Sequence, residues 1–377
     1  MKPNPVVIIV SAAFGDGHAK VAEAIEQSFK EKGIDQVYIV DLFAEVHPYL
    51  NELFQRFYLI TAVYVPKLYG FLYRITSRMK PEQPLSQFLH SIGKKKAKSI
   101  LDELHPDIII HTFPYLVASQ LSEEAGSEVS IFTVLTDYVL HGRWLHPSTL
   151  KYFTATESMK QALLSAGVPE ERITISGIPI REAFCEPMDR EKLLIKHGFS
   201  KSRRYILLSA GAHGIMSNIS MMITTVLEYS DFDLVVLCGN NQGLRLSLVD
   251  LYLHNPRIHI LGYTEEMHEL MAVSSGLLTK AGGITLTEAI AMSLPVIVYR
   301  PLPGQEEGNA HLLTGLRVIY TAYNKHELIH RLRQLEIQPC REEMQRFMHT
   351  ITRKESSQTI VSEVLEATEQ DLCAQQI

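Results

Sequence analysis

The fold class follows from a stretch near the start of the sequence, Pro5-Val6-Val7-Ile8-Ile9-Val10-Ser11-Ala12-Ala13-Phe14-Gly15-Asp16-Gly17-His18. Its first half is a short run of apolar, mostly β-branched residues, which is typical of a strand buried on both faces of a parallel sheet. Two glycines follow this run, and a helical pattern extends over 19–30. We therefore predict a strand, a glycine turn and a helix in that order, the unit from which doubly wound α/β domains are built.

The same unit recurs in the second half of the chain. There a strand predicted over 204–209 enters Ala210-Gly211-Ala212-His213-Gly214, and a helical stretch follows. Further strands are predicted at 37–40, 108–111 and 129–135 in the first half and at 233–238, 258–261, 276–279 and 295–299 in the second. Strands that alternate with helices at this spacing indicate parallel sheets with helices on both faces.

We thus predict an α/β protein of two doubly wound, Rossmann-like domains that face each other across a cleft, because open parallel sheets bind ligands beyond the carboxyl ends of their strands. The N-terminal domain is expected over 1–185 and the C-terminal domain over 186–377, with a linker in the region 180–203. The last helix could pack back on the N-terminal domain. A chain of 377 residues is long for one hydrophobic core, which agrees with two domains.

Composition excludes several classes of protein. Apolar residues make up 46% and charged residues 21%, the profile of a soluble globular protein. The formal net charge of -6 argues against a nucleic-acid partner. The 4 cysteines form no CxxC pair, which argues against a disulfide scaffold or a zinc site and fits a reducing cytoplasm. No uninterrupted apolar run approaches the ~20 residues that a membrane-spanning helix needs.

An aromatic and basic segment at 47–98 does not fit the alternation of strands and helices. It contains eight aromatic residues between Tyr49 and Tyr73, with basic residues among and after them. Large apolar side chains beside basic ones suit a surface at a lipid interface. The other interpretation is a helical insertion whose aromatics fill the N-terminal core. On the first interpretation the membrane-facing residues include Phe57, Tyr58, Tyr64, Tyr69, Lys94, Lys95 and Lys96.

The strongest functional motif is Thr279-Lys280-Ala281-Gly282-Gly283-Ile284-Thr285-Leu286-Thr287-Glu288-Ala289. It starts at the end of a predicted strand, turns through two glycines and opens a helix. Backbone N–H groups at such a turn can hold a diphosphate, and the helix dipole favours the anion. Thr285 and Thr287 add hydroxyl donors or caps, and the Glu288 carboxylate can accept hydrogen bonds from ribose hydroxyls.

A second polar motif follows the next strand and reads Pro303-Gly304-Gln305-Glu306-Glu307-Gly308-Asn309-Ala310. Amide and carboxylate side chains without a base or a nucleophile suit the recognition of sugar hydroxyls, which points to Gln305, Glu306 and Asn309. Taken singly, either motif also occurs as a solvated loop with helix-capping residues.

Together, the two motifs resemble the C-terminal domain of glycosyltransferase family 28, in the form found in monogalactosyl- and diglucosyl-diacylglycerol synthases. The resemblance implies the GT-B fold, a diphosphate at Gly282, Gly283, Ile284 and Thr285, a ribose on Glu288, and a sugar held by the second motif. Gly262-Tyr263-Thr264-Glu265-Glu266-Met267 is similar to the family loop beside the uracil, which implies contacts from Tyr263 and Met267. The segment 209–214 is similar to the first glycine loop of the donor domain, with Ala210 in place of one glycine, which implies that Gly211 and His213 border the donor.

In the N-terminal half, Phe14-Gly15-Asp16-Gly17-His18 resembles the glycine-histidine loop of the same synthases, which implies that Gly17 borders the donor. An inverting transfer needs a base that takes the proton of the acceptor hydroxyl. His18 could be that base, Asp16 could orient or replace it, and His18 could also merely cap the helix. Thr136-Asp137-Tyr138, with His141 and Trp144 beyond it, resembles the family stretch that lines the acceptor side. Asp137 is therefore a second candidate base, and Trp144 a candidate acceptor contact.

The resemblance covers nearly the whole chain. It implies an inverting hexosyltransferase that uses a UDP-sugar, with glucose or galactose expected, and acts on diacylglycerol or a related lipid as a peripheral protein on the anionic inner face of the cell membrane. No metal is predicted, because Asp231-Phe232-Asp233, which has the pattern of a metal-binding DxD motif, precedes a strand instead of following one. No other cofactor is predicted either. The residues alone leave two rivals open: a UDP-sugar epimerase of the same fold, and a non-catalytic UDP-sugar sensor.

Overall fold

The computed structural model describes residues 4–12, 16–42, 66–77, 94–125, 128–214 and 216–375. The chain divides into two compact units. Among the described residues, unit 1 takes in 4–42, 68–181 and 353–375, and unit 2 takes in 66–67 and 182–352.

Unit 1 contains a 6-stranded parallel sheet in the order β2-β1-β3-β4-β5-β6. Its strands are β1 (Val7–Val10), β2 (Val37–Val40), β3 (Ile108–His111), β4 (Ser130–Val134), β5 (Lys151–Thr154) and β6 (Ile173–Ile175). Its described helices before the chain enters unit 2 are α1 (Asp16–Glu31), α2 (Pro66–Ser77), α3 (Lys94–Leu104), α4 (Val117–Ala125) and α5 (Glu157–Ser165). All residues of β1 are buried, on both faces of the sheet, as the opening apolar run predicts.

Unit 2 repeats this architecture with a 6-stranded parallel sheet in the order β12-β11-β10-β7-β8-β9. Its strands are β7 (Tyr205–Ser209), β8 (Asp233–Leu237), β9 (Ile258–Leu261), β10 (Gly276–Thr279), β11 (Val296–Tyr299) and β12 (Tyr320–Ala322). Its described helices are α6 (Arg190–Lys196), α7 (Ile219–Tyr229), α8 (Gln242–Tyr252), α9 (Met267–Val273), α10 (Gly283–Ala291), α11 (Gln305–Gly315), α12 (Lys325–Glu336) and α13 (Gln338–Ile351). The predicted α/β class, with two parallel sheets flanked by helices, is confirmed.

The sequence patterns do not predict three of the described strands, namely β5, β6 and β12. Two of them, β6 and β12, have only three residues each and lie at the edges of their sheets. Segments this short carry no period by which a strand can be told from a loop. The strand β5 begins with the charged residue Lys151, so its four residues do not form the uninterrupted apolar run that is typical of a buried strand.

The region 180–203 differs from the expected linker, because most of it is folded into unit 2. Asp189 caps α6 by accepting hydrogen bonds from the backbone N–H groups of Glu191 and Lys192. Arg190, at the start of the same helix, donates to the carbonyl oxygen of Val273 at the end of α9. Charged residues in this region cap a helix and form ion pairs. Composition alone does not distinguish such residues from those of a solvated linker.

A last helix, α14 (Ser356–Gln375), belongs to unit 1 and packs on α1. Its Glu363 carboxylate accepts hydrogen bonds from Lys151 of β5 at 2.7 Å and from Thr174 of β6 at 2.6 Å. At the start of the helix, the Ser356 hydroxyl donates to the carbonyl oxygen of Gly177 at 2.9 Å. These contacts tie the end of the chain to the sheet that its beginning forms.

Candidate active site

Each sheet has one place where the order of its strands reverses. In unit 1 this place lies between β1 and β3, and in unit 2 between β7 and β10. The loops that leave the carboxyl ends of two such strands run to opposite sides of the sheet, which leaves a crevice suited to a ligand. His18 follows β1, and the glycine turn at 280–283 follows β10, so the strongest motifs of the sequence lie at these two places.

In unit 2, the turn after β10 leads directly into α10. Gly282 is the N-cap residue and, having no side chain, makes no cap hydrogen bond to the first N–H groups of the helix. A Cβ atom on Gly282 would meet no atom of the described residues within 4 Å, so they leave open space above the turn. Ile284 and Thr285 are partly exposed in the first helical turn. This arrangement can bind an anion.

Other side chains of this motif have partners inside the protein. The Thr287 hydroxyl donates to the carbonyl oxygen of Gly283 at 2.7 Å, so its proton is committed to the helix backbone. Glu288, one residue further, is 6% exposed. Of the two predicted threonine donors, Thr285 therefore remains the candidate for a phosphate contact.

The polar segment 305–309 is helical and not a loop, because α11 begins at Gln305. Gly304 precedes it with φ 103, a backbone conformation that favours glycine. Glu306 is buried, and its Oε2 accepts a hydrogen bond from the backbone N–H of Leu302 at 3.1 Å. Gln305 is partly exposed. Glu306 thus closes the turn that leads into its own helix.

Asn309 has a role that the sequence did not suggest. Its side chain is wholly buried, and Nδ2 donates to the carbonyl oxygen of Ala281 at 3.1 Å. The second motif therefore holds the glycine turn of the first in place. This contact joins segments 28 residues apart, and the spacing of the two motifs along the chain does not reveal it.

The loop after β7 is packed against the turn after β8. A Cβ atom on Gly214 would lie 2.1 Å from the carbonyl oxygen of Cys238, and one on Gly239 would lie 2.3 Å from that of Gly211. Both distances are far below van der Waals contact, so only glycine fits at either position. Gly211 itself has φ +77, and His213 is exposed. The predicted glycine loop is therefore a tight backbone turn at the edge of the crevice.

Two further predicted donor residues follow β9. Tyr263 is exposed, and its hydroxyl donates to Glu265 at 2.8 Å. Met267 is partly exposed and begins α9. By contrast, Asp233 of the Asp231-Phe232-Asp233 segment lies at the amino end of β8, where it pairs with Arg203 and Arg257.

In unit 1, α1 begins at Asp16, so Gly17 and His18 lie in the first helical turn and not in a loop before it. The Asp16 side chain lies outside the described part of the structure. Nδ1 of His18 is 2.7 Å from the carbonyl oxygen of Thr112, the residue after β3. A carbonyl oxygen only accepts, so Nδ1 carries the hydrogen and donates it. In the neutral imidazole the lone pair is then on Nε2.

Two more residues hold the imidazole, since the Thr136 hydroxyl lies 3.2 Å from Nδ1 and the ring packs edge-on against Phe113 with centroids 5.1 Å apart. Burial lowers the pKa of His18, and the Asp137 carboxylate and the hydrogen bond to Thr112 offset part of this effect. The imidazole is thus neutral near pH 7 and can accept a proton at Nε2.

Asp137 is buried after the carboxyl end of β4, and α2 lies beside it. Burial, with a smaller contribution from the charge of Asp137, raises the pKa of Tyr73 in α2. The Tyr73 ring packs edge-on against His141 with centroids 5.0 Å apart. Nδ1 of His141 accepts from the Arg143 backbone N–H, so Nε2 carries the hydrogen and donates to Thr76 at 3.2 Å. Burial and the charge of Arg143 lower the pKa of His141 to about 4.

The opposite side of α2 is apolar and exposed. Leu68, Phe71 and Ile75 are 41%, 54% and 46% exposed. Their spacing places them along one face of the helix. The predicted residue Tyr69 is partly buried, with its ring 6.4 Å from that of Tyr73. Phe57, Tyr58 and Tyr64 lie outside the described residues.

The predicted basic cluster forms the start of α3. Lys94 pairs with Glu124 of α4, whereas Lys95 and Lys96 are exposed and form no ion pair with any described residue. Trp144 differs from its expected place on the acceptor side. It is 3% exposed and packs in a hydrophobic cluster with Leu135 and Tyr152, so its indole is part of the core of unit 1.

Some contacts of the site could not be found from the sequence. Thr112 acts through its backbone carbonyl, which every residue possesses, and its partner His18 is 94 residues away. The strand order β1-β3 alone brings the two together. In the sequence, Tyr73 is one of several aromatics in its segment, and its position near Asp137 depends on how α2 packs.

Comparison with known proteins adds the family. The family model described as monogalactosyldiacylglycerol (MGDG) synthase matches residues 18–180, and the one described as UDP-N-acetylglucosamine 2-epimerase matches residues 146–365. A processive diacylglycerol beta-glucosyltransferase from Bacillus cereus (strain B4264) is 36% identical over 311 residues, which cover 82% of this chain and 80% of that protein.

Solved structures show the same fold at lower identity. MurG from Acinetobacter baumannii has a TM-score of 0.63 at 14% identity and covers 96% of this chain and 100% of its own. MnaA from S. aureus, solved with UDP, has a TM-score of 0.64 at 16% identity and covers 95% of each chain. Their likeness identifies the fold as GT-B. The sequence identity to the Bacillus cereus protein goes further, and this chain belongs to glycosyltransferase family 28, with the MGDG synthases and the processive diacylglycerol beta-glucosyltransferases.

Proposed function

We propose that this chain is an inverting glycosyltransferase that moves a hexose, glucose or galactose, from a UDP-sugar to diacylglycerol. The observation that carries the proposal is the imidazole of His18, whose Nδ1–H is bound to the Thr112 carbonyl so that Nε2 is left to accept a proton. Family membership supports the choice of acceptor, because the Bacillus cereus relative is named for diacylglycerol and the MGDG synthase model covers the residues around His18.

In the proposed step, the acceptor hydroxyl oxygen attacks the anomeric carbon on the face opposite the UDP. A bond forms between these two atoms, the bond from the anomeric carbon to the β-phosphate oxygen breaks with its electron pair, and the hydroxyl proton passes to Nε2 of His18. One displacement inverts the configuration, so an α-linked donor gives a β-glycolipid. The Asp137 carboxylate favours the imidazolium that forms, since its charge raises the pKa of His18.

The donor is proposed to bind on unit 2, at the carboxyl ends of β7 and β10. The start of α10 would hold the diphosphate, Glu288 the ribose, and Gln305 and Glu306 the hexose. Tyr263 and Met267 would border the uracil. This assignment is supported by the open space at Gly282 and by the glycine at the N-cap of α10, which places no side chain over the turn.

The acceptor requires contact with a lipid surface, and two features of unit 1 support this. Exposed apolar residues lie on one face of α2, and exposed lysines begin α3. Apolar side chains that enter the interface and cations that attract anionic headgroups act together in peripheral membrane proteins. No helix among the described residues is long and apolar enough to cross a membrane. We propose that the protein docks as a peripheral protein on the anionic inner face of the cell membrane.

Vesicle flotation tests this docking. Changing both Lys95→Glu and Lys96→Glu should reduce binding to anionic vesicles and spare neutral ones, because the lysines supply an electrostatic attraction. Lys192→Glu, a charge reversal at an exposed lysine of unit 2, is the matched control. Binding that falls equally in the control and the double variant, or in neither, would contradict docking through α3.

The UDP-sugar epimerase is the second candidate, and the match of the epimerase family model to residues 146–365 favours it. An epimerase needs no lipid and leaves the UDP-sugar bond intact in its product. The transferase consumes the donor only when a lipid acceptor is present. A sensor would bind UDP-sugar and change neither molecule.

Release of UDP from UDP-glucose or UDP-galactose, with and without diacylglycerol in mixed micelles, separates the three. We expect lipid-dependent UDP release and a new glycolipid in the lipid extract. His18→Gln should lower this turnover by about 10²–10⁴-fold, the usual contribution of a general base, while UDP still binds. A wild-type protein that binds UDP but makes no glycolipid from either donor would exclude this activity.

A further inference from the structure

Lys280 lies in unit 2 and has no role in the proposed transfer as described above. It directly follows β10, at the place where the order of the second sheet reverses. A Cβ atom on Gly211 would lie 2.9 Å from Cε and 3.4 Å from Nζ of Lys280. The lysine side chain therefore reaches from the end of β10 to the loop after β7, into the space that a larger residue at 211 would occupy.

The Lys280 ammonium has neither an ion pair nor a hydrogen bond among the residues that the structure describes. Other lysines of the chain, such as Lys151 and Lys196, are bound to carboxylates at 2.7 Å. The Lys280 side chain is also partly buried. A charge partly withdrawn from water and left without a counterion costs free energy, unless a ligand supplies the opposite charge.

Three features of unit 2 favour an anion at this place. The ammonium of Lys280 is positive, α10 begins behind an N-cap glycine that has no side chain, and Gly282 leaves open space above the turn. Gly211 keeps room for the lysine on the other side. Lys280 and the N-terminus of α10 belong to the same turn. Together they are complementary to a phosphate group, which offers more than one oxygen to bind.

We propose that the Lys280 ammonium binds the β-phosphate of the UDP-sugar and stabilises the charge that this phosphate gains when the sugar leaves. The inference rests on the proposed transfer. The electron pair of the breaking bond to the anomeric carbon goes to a β-phosphate oxygen, so the phosphate becomes more negative in the transition state. The attraction of the Lys280 ammonium to the phosphate grows as the bond breaks.

Calorimetric titration with UDP and UMP tests the proposal, because UMP lacks the β-phosphate. Lys280→Met should weaken UDP binding by about 10- to 100-fold, as expected for a lost charge-assisted hydrogen bond, and change UMP binding by less than about threefold. Glu288→Gln is the matched control, since both ligands contain the ribose and their affinities should fall by the same factor. Lys280→Arg keeps the charge and should restore part of the UDP affinity.

Steady-state kinetics adds a measurement that a purely structural role would not move. Because charge develops in the transition state, Lys280→Met should lower kcat by about tenfold or more, in addition to any rise in KM for the donor. Equal loss of UDP and UMP affinity, or an unchanged kcat, would overturn the assignment of Lys280. A wild-type protein that binds neither UDP nor UMP would instead overturn the proposed function itself, so the two failures are distinguishable.

Discussion

The acid limb of the pH–rate profile should report the pKa of His18, since only the neutral imidazole can accept a proton at Nε2. Burial already lowers this pKa, and the Asp137 carboxylate counteracts part of the lowering. Replacing Asp137→Asn removes the charge and retains a side chain of almost the same size. The pKa of His18 should then fall further, so the acid limb should move to lower pH.

The direction of the effect follows from the charge of Asp137, which is buried after the carboxyl end of β4 and raises the pKa of His18. Loss of that charge should therefore move the acid limb of kcat/KM to lower pH. Each unit by which the pKa falls corresponds to ~1.4 kcal/mol, so the weaker base should also lower the plateau rate, by up to about tenfold for each unit.

The assay is lipid-dependent UDP release between about pH 4.5 and 8, a range that spans the ordinary histidine pKa. Asp102→Asn is the control, because Asp102 is an exposed residue of α3 paired with Lys98 and its loss should leave the profile unchanged. An acid limb that stays in place or moves to higher pH would contradict the electrostatic role of Asp137. If Asp137 is itself the base, Asp137→Asn should instead lose about 10²–10⁴-fold activity.

Three further outcomes are expected. Gly211→Ala should lower the free energy of unfolding by about 1–2 kcal/mol, because φ at this position is +77, and thermal melting measures this loss. The added Cβ should also displace the Lys280 side chain and weaken UDP binding, which calorimetry measures. Asn309→Leu leaves the Ala281 carbonyl without its buried donor, so urea denaturation should show a loss of about 1–3 kcal/mol. His141 has a folded-state pKa of about 4, below the ~6.5 of an unfolded chain, so stability is lost as pH falls from 6.5 towards 4. The His141→Gln variant should lose less free energy of unfolding over this pH range, as measured by urea denaturation.

Much of this protein could be inferred from local patterns. Short apolar runs such as Val7–Val10 gave the strands because a central parallel strand is buried on both faces and needs no polar residue. The two strand–glycine–helix units, centred near Gly17 and Gly211, indicated two sheets because each pattern is contained within some fifteen to twenty residues. The motifs around Gly282 and Gln305 located the candidate donor site for the same reason.

Contacts between distant segments required the folded chain. The tautomer of His18 depends on a carbonyl 94 residues away, and the burial of Asn309 on a carbonyl 28 residues away. Backbone carbonyls carry no sequence signal, and side-chain type does not reveal whether a group faces a ligand or its own protein. Trp144 shows the same limit, since an aromatic residue near a site can fill the core as well as contact a substrate.

The order of the strands accounts for most of this difference. Local sequence specifies that β1, β3, β7 and β10 are strands, but their neighbours are chosen by long-range packing. That choice puts the loop after β1 beside the loop after β3, and the loop after β7 beside the loop after β10. Sequence periodicity thus gives the elements and their motifs. The donor role of Nδ1 in His18, and the lack of a partner for the Lys280 ammonium among the described residues, follow from tertiary packing, which fixes what each side chain meets.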